Sequence, residues 1–240
     1  MQYNISDVKI TNNSKDAFYY DENNIPYIVH LTDENKTQCF PSGAFCVENL
    51  SDINEEYKEM VYCRTYGLPI TIIETDRLVI REIKVEDVPR LYELYADESI
   101  TRYMEGLYED INQELEYTQK YIENIYGFYG FGMWVIVLKD NDQVIGRAGL
   151  EYKEGHDGLE LGFMIGVDYQ KKGYAYEACN AILDYAVREL EQASFYAIVH
   201  EQNSSSLHLC EKLGFNKAEG YVNDEYVMMI KNEANIAVHE

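Results

Sequence analysis

A mixed α/β fold follows from three features of this 240-residue chain. Apolar residues recur at helical spacing through one long segment, at Ala178, Cys179, Ile182, Leu183, Ala186, Val187 and Leu190. Two β-rich runs, Phe131 to Leu138 and Gln143 to Leu150, flank the polar turn Lys139-Asp140-Asn141-Asp142 as a hairpin. From Thr71 onward strands and helical segments interleave, which is the signature of a sheet layered with helices.

The N-terminal part reads as a small α+β extension. Phe18 to Tyr20 and Tyr27 to Leu31 flank Asp21-Glu22-Asn23-Asn24, and the second run meets another polar turn at Thr32 to Asn35, which predicts a small β-meander. Asp52 and Glu55 have capping-box spacing before a helix with Tyr57, Met60 and Val61 on its apolar face, and Gly67-Leu68-Pro69 stops it. The expected division is an extension at residues 1 to 68, a main domain at 69 to 232 and a tail at 233 to 240. So small an extension is expected to pack on the larger domain or on a second subunit, so a homodimer is one expected assembly.

The main domain then runs in order. A strand is predicted at Ile72 to Arg81, a helix at Glu86 to Ala96, a second helical region at Ile111 to Tyr126, and the hairpin. A strand follows at Leu159 to Val167, then the long helix from Gly173 to Leu190, a strand at Phe195 to Val199, and a helix at Ser204 to Leu213. Two closing strands are expected near Ala218 to Val222 and Tyr226 to Ile230.

Composition excludes several classes of function. The chain carries 43 acidic and 20 basic residues, a formal charge of −23, so nucleic acid would meet a repulsive field. The same field would raise the local concentration of cationic substrates, but acidity that serves solubility alone reads the same, so charge does not choose the substrate. No apolar stretch approaches a membrane span and the first residues lack the order of a secretory signal, so the cytoplasm is the expected address and no membrane partner is expected. Five cysteines and five histidines show no metal-ligand spacing, and no metal is expected.

The chemistry concentrates where the strand ending at Val167 turns into the long helix. Unpaired amides at a helix N-terminus, backed by the positive end of the peptide dipoles, stabilise a phosphate without a metal. Gly173 removes the Cβ that would crowd such a turn, and Lys171 and Lys172 add charge. An equally simple reading makes Gly173 a loop end and the lysines a solvated face.

A second segment sharpens this. Gln170, Gly173 and Ala175 form the pattern Q-x-x-G-x-A. Asn203, Ser206, Leu209, Lys212, Gly214 and Phe215 form N-x-x-S-x-x-L-x-x-K-x-G-F. Together they resemble the acetyl-coenzyme A motifs of the GNAT superfamily of N-acetyltransferases. Glu74 to Glu82 is similar to the first strand, and Glu160-Leu161-Gly162-Phe163 to the fourth, of the branch that acetylates ribosomal-protein N-terminal amines. The likeness covers residues 70 to 232.

The resemblance implies a mostly antiparallel central sheet, helices on both faces, and a cleft where the fourth and fifth strands splay. It implies acetyl-coenzyme A as cosubstrate, with pantetheine and acetyl contacts at Phe163, Met164 and Ile165. Pyrophosphate contacts fall on Lys171, Lys172, Gly173, Tyr174, Ala175 and Tyr176, and Asn203 and Ser206 border the cleft. The expected activity is acetyl transfer to a primary amine, either a protein N-terminal amine or a small cationic amine. An acyl-coenzyme A sensor, or a scaffold acting through residues 1 to 68, is the competing class.

Such transfer needs a donor for the carbonyl oxygen, a base for the amine and a proton for the thiolate. The backbone amide of Ile165 suits the first role. Glu160 suits the second, with a strand-edge salt bridge as its structural alternative. The third falls on Cys210, because many family members place a tyrosine seven residues after the motif asparagine and this chain has a thiol there. A thiol is a weak donor and readily buried, so packing or the cofactor wall is its expected place. Tyr103, Met104 and Glu105 are expected to line the acceptor side, and the aromatic stretch Tyr126 to Trp134 with its three glycines is expected to be in part acceptor wall and in part a loop packed by its own rings. Glu105 and Glu151 are further candidates for holding a cationic amine.

Overall fold

Side-chain caps start five of the eight α-helices in the computed structural model, which describes residues 4–219 and 225–232. The chain divides into two compact units, Met1–Ile70 and Thr71–Glu240.

In the first unit, β1 (Lys9–Thr11), β2 (Tyr27–His30) and β3 (Phe45–Val47) form a three-stranded sheet in that order, with both pairings parallel. This corrects the meander. Phe18 to Tyr20 lie in α1 (Ser14–Glu22), because the Asn13 side chain accepts the amide of Lys15 at 2.8 Å and starts a helix. A helix between two strands lets them run parallel, whereas a tight turn would have made them antiparallel. The helix α2 (Glu55–Tyr66) is capped by Asn54, which accepts from the Tyr57 amide at 2.7 Å, and Leu50–Asp52 is a separate 3-10 turn; the expected Asp52–Glu55 box is not its start. Gly67, at φ +63°, closes it as expected.

The second unit is built on eight strands in the order β10-β11-β9-β8-β7-β6-β5-β4. The expected strand at Ile72 to Arg81 is a hairpin of β4 (Thr71–Glu74) and β5 (Leu78–Arg81). The Thr75 hydroxyl accepts the Leu78 amide at 3.0 Å and so turns the chain. Then come α3 (Val88–Tyr95), α4 (Glu98–Thr101), α5 (Ile111–Tyr121), a π-helical turn (Ile122–Tyr126) and α6 (Gly127–Tyr129). The strands β6 (Met133–Leu138), β7 (Val144–Glu151) and β8 (Leu159–Ile165) pair antiparallel in sequence. They are followed by α7 (Tyr174–Glu189), β9 (Ser194–His200), α8 (Ser204–Lys212), β10 (Asn216–Lys217) and β11 (Tyr226–Asn232). The closing strand expected at Ala218 to Val222 is β10, two residues earlier; positions 220–222 and the tail at 233–240 lie outside the described residues.

Within this eight-stranded sheet, among the described residues, only β8 and β9 pair parallel. The pleat fixes which helices cover which face. Trp134 and Ala148 are cross-strand partners, and Trp134 meets the Tyr185 ring of α7 edge-on at 5.9 Å. Their neighbours Val135 and Arg147 face the other way, where Arg147 meets Tyr95 of α3 and Tyr121 of α5. A continuous apolar core, from Leu78 and Ile80 through Ile145 and Leu150 to Ile182, Phe195 and Met229, joins sheet and helices.

Candidate active site

Two strands that begin as partners and then separate leave hydrogen-bonding groups exposed. β8 and β9 share two rungs, Leu159 with Phe195 and Glu160 with Tyr196. Beyond Glu160, β8 keeps its register with β7 only, among the described residues. Gly158 starts this vertex at φ +90°, and a Cβ there would stand 2.2 Å from the Ser194 carbonyl oxygen. The Gly166 amide donates to Ile145 O at 2.9 Å, which marks the hydrogen-bonded rungs of the β7–β8 ladder. Antiparallel alternation then commits the backbone of Gly162 and Met164 to β7 and turns that of Leu161, Phe163 and Ile165 toward the open edge. Gln170 Nε2 closes the row by donating to Ile165 O at 3.0 Å.

At the end of that row sits the cradle. Gly173 adopts φ +84° as the residue before α7, Lys171 adopts φ +60°, and no side chain caps the helix. The first helical amide bonded within the backbone is Glu177 to Gly173 O at 3.0 Å; among the described residues those of 171 to 176 have no acceptor. Residues 171 to 173 are exposed. The turn is locked from β4–β5. Arg77 Nη1 donates to Lys172 O at 3.0 Å and its Nε to Glu177 Oε2 at 2.6 Å, while Thr75 Oγ1 donates to Glu177 Oε1 at 2.6 Å. Burial alone would raise the Glu177 pKa, but the hydrogen bonds from Thr75 and Arg77 outweigh it and hold the carboxyl below its ordinary value. The Arg77 guanidinium also lies over the Tyr174 ring at 4.5 Å.

Across the cleft, Asn203 accepts the Ser206 amide at 3.2 Å and caps α8, and Lys212 Nζ lies over the Tyr176 ring at 4.3 Å. The second wall of the cleft is thereby tied to the helix of the cradle.

The face opposite α7 carries three successive rungs of β7 and β8: Arg147 with Met164, Gly149 with Gly162, and Glu151 with Glu160. The middle rung is bare, with Met133 above it; a Cβ on Gly162 would stand 3.1 Å from the Met133 sulfur, and one on Gly149 would strike the Gly132 carbonyl at 2.0 Å. Glu160 is partly buried, and that burial raises its carboxyl pKa. The Lys153 ammonium opposes the rise, Glu151 adds to it and His156 opposes it. Glu151 is held by Lys153 at 2.8 Å. Tyr196, opposite Glu160, is 2% exposed, stacks on His156 at 4.9 Å, and its buried hydroxyl has no partner among the described residues. Burial pushes its pKa up to about 12, with Glu160 and Glu151 adding to the rise.

One expectation needs correction, and at two places the structure selects between the alternatives. Met164 cannot offer its backbone to the open edge, because that backbone bonds β7; only its side chain is left. Cys210 is 0% exposed in the core, the packing place expected of it and not a place open to the cleft, and burial, with Glu211 adding to it, pushes its thiol up to about 12. The aromatic stretch is split: Tyr126 and Trp134 are core residues at 1% and 0% exposure, whereas Phe128 and Tyr129 face outward. Three features escaped the sequence reading. Tyr196 sits within an ordinary β-run, Arg147 looks like the polar half of an alternating strand, and the Arg77–Glu177 clamp joins residues 100 positions apart.

Residues 77–216 match the family model described as an acetyltransferase (GNAT) domain. The chain is similar to an uncharacterized N-acetyltransferase, YnaD, of Bacillus subtilis, 29% identical over 62% of this chain and 84% of the relative. It is also similar to the ribosomal protein uS5-alanine N-acetyltransferase of Escherichia coli, 28% identical over 66% of this chain and 84% of the relative. Among solved structures, the spermidine N-acetyltransferase of Vibrio cholerae, in complex with CoA and spermine, shares its fold at a TM-score of 0.56 and 24% identity, over 66% of this chain and 97% of that one.

Proposed function

This chain belongs to the GNAT acetyltransferase family and is an acetyltransferase, and on that premise we propose that it moves an acetyl group from acetyl-coenzyme A to a primary amine. The observation that carries this is the row of unpaired backbone groups on β8 that ends in the uncapped turn before α7. An anion fits that turn, and an amide-bearing arm fits that edge as an added strand.

The amides of Lys171, Lys172, Gly173, Tyr174, Ala175 and Tyr176 hold the pyrophosphate, and Asn203 and Ser206 border the same cleft. Bound acetyl-coenzyme A supplies the activated thioester. Phe163 and Ile165 hold the arm by their backbone. Spacing decides between them for the oxyanion role. Glu160 and Ile165 stand five residues apart, about 16 Å along a strand, too far for a base and an oxyanion donor to serve one carbonyl through a single water. Glu160 and Phe163 stand about 10 Å apart, a gap that a side chain and one water can span. The Phe163 amide therefore takes the role first given to Ile165, with Ile165 nearer the cradle. Glu160 accepts the amine proton through water, its raised pKa bringing it closer to neutrality. The departing thiolate takes its proton from solvent or from the Tyr196 hydroxyl at the vertex.

The similarity to the Escherichia coli enzyme supports a protein N-terminal amine as acceptor, and the fold shared with the Vibrio cholerae enzyme supports a small cationic amine. Five thiols without a disulfide support a reducing, cytoplasmic setting. Calorimetry with coenzyme A and turnover of acetyl-coenzyme A with a peptide amine and with spermidine test the reading together. Heat with coenzyme A and acetylation of either amine supports it. Binding with no amine acetylated favours a sensing module, and no binding removes the proposal.

A further inference from the structure

The acceptor face holds a cation that lacks an anion. Arg77 pairs with Glu177, Arg81 with Asp87 and Arg90 with Glu93, in a chain with 43 acidic residues. Arg147, in the middle of β7, forms no ion pair among the described residues, and its buried Nε has no hydrogen-bond partner. The groups around it are the hydroxyls of Tyr95, Tyr126 and Tyr121, with Tyr95 in hydrogen-bond contact. Two of these hydroxyls are already engaged, Tyr126 donating to Met133 O at 2.5 Å and Tyr121 accepting from Met133 N at 2.7 Å. The carboxylates on the same side are taken, Glu151 by Lys153 at 2.8 Å and Glu114 by the Tyr108 amide at 3.1 Å.

Taking a guanidinium out of water is costly unless oxygen acceptors replace the lost hydration. Here the replacement is incomplete, and the place is specific. Arg147 opposes Met164, the residue next to Phe163, and shares its face with Glu160; the glycine rung, with Met133 over it, lies between the two. The Met133 side chain lies over that rung, with a carboxylate to one side and a guanidinium to the other, about 13 Å apart along the strand.

We infer that Arg147 reads an oxygen acceptor carried beside the reactive amine, so that the acceptor is an α-amino carbonyl compound and not a polyamine. The forked guanidinium matches a carboxylate or an amide carbonyl, and it repels a second ammonium group. A free amino acid and the first residue of a peptide share this chemistry. The inference rests on the transferase reading above and adds the acceptor class to it.

The test compares kcat/KM for alanine, alaninamide, an alanine-initiated peptide, isopropylamine and spermidine in the wild type, Arg147→Met and Arg147→Lys. The wild type should prefer the carbonyl-bearing acceptors, alanine over alaninamide marking a free amino acid and the reverse marking a peptide. In Arg147→Met the preference for alaninamide over isopropylamine should fall about 30-fold, the worth of a charged hydrogen bond, and Arg147→Lys should restore part of it. A ratio of two substrates on one sample is unaffected by the fraction folded, and coenzyme A calorimetry reports that fraction separately. An unchanged ratio, or spermidine as the best wild-type acceptor, overturns the inference and leaves the transferase standing. No turnover of any amine overturns both.

Discussion

The cradle and the acceptor face lie at opposite ends of one functional strand and are built in opposite ways. The cradle is made of main chain: amides before α7, a left-handed Gly173, and a clamp from Arg77 and Glu177 whose charges are spent on each other and on the Lys172 carbonyl. The acceptor face is made of side chains: Glu160 and Glu151 at one end, Arg147 at the other, and a bare glycine rung between. The cosubstrate end therefore tolerates side-chain exchange but not a change of backbone geometry, and the acceptor end does the reverse.

The largest expected effect lies on the acceptor side. Glu160→Gln should lower kcat by about 100-fold, a typical loss for a general base, with coenzyme A affinity in calorimetry unchanged. Its pH signature is separate. A carboxyl whose pKa is raised by folding costs stability once ionised. That cost is absent below the unfolded value, near pH 4.3, and grows as pH rises through the folded pKa. Glu160→Gln should therefore raise Tm at pH 7 and lose that gain as pH falls toward 4. A parallel loss of coenzyme A affinity would mean that the two ends are not independent.

Gly173→Val is the counterpart at the cradle. A β-branched residue at φ +84° is strained by about 2 kcal/mol, so coenzyme A affinity should drop about 30-fold while the ranking of amines stays unchanged. Lys171→Gln with Lys172→Gln should do far less. Both lysines are exposed, and their charges act across water, so about a threefold loss that fades in high salt is expected from titration at two ionic strengths. If the lysine pair outweighed Gly173, the cradle would be a charge site and not a main-chain one.

The same contrast governs what could be read from the sequence. The cradle was legible because a backbone site leaves a local mark: a glycine before a helix-periodic run, within one short window. The mostly antiparallel sheet and the splay followed from the resemblance. Arg147 was not legible, since a polar residue in a strand looks the same whether it meets solvent or a pocket. Nor was the Arg77–Glu177 clamp, whose halves come from a turn hidden inside one apparent strand, Ile72 to Arg81, and from the first turn of α7. Phe18 to Tyr20 misled in the other direction, because three aromatic-rich residues suit a strand until the cap at Asn13 is weighed against them.

Cys210 gives the smallest effect and the sharpest check on the division between the two ends. It occupies the position where the family resemblance implies a tyrosine acid, yet it is enclosed in the core, and the Cys179 thiol, equally enclosed, feels it across the packing of α7 and α8. A thiol enclosed in the core, away from the cleft, cannot pass a proton to a thiolate at the open edge. Cys210→Ala should cost about 1 kcal/mol of stability in denaturant melts, the loss of a small buried group, and leave kcat within about twofold. The proton would then have to come from the vertex, where Tyr196 is placed, or from water. A fall in kcat of about 100-fold, at unchanged Tm, would return the acid role to α8 and move the reacting sulfur away from the β8 edge.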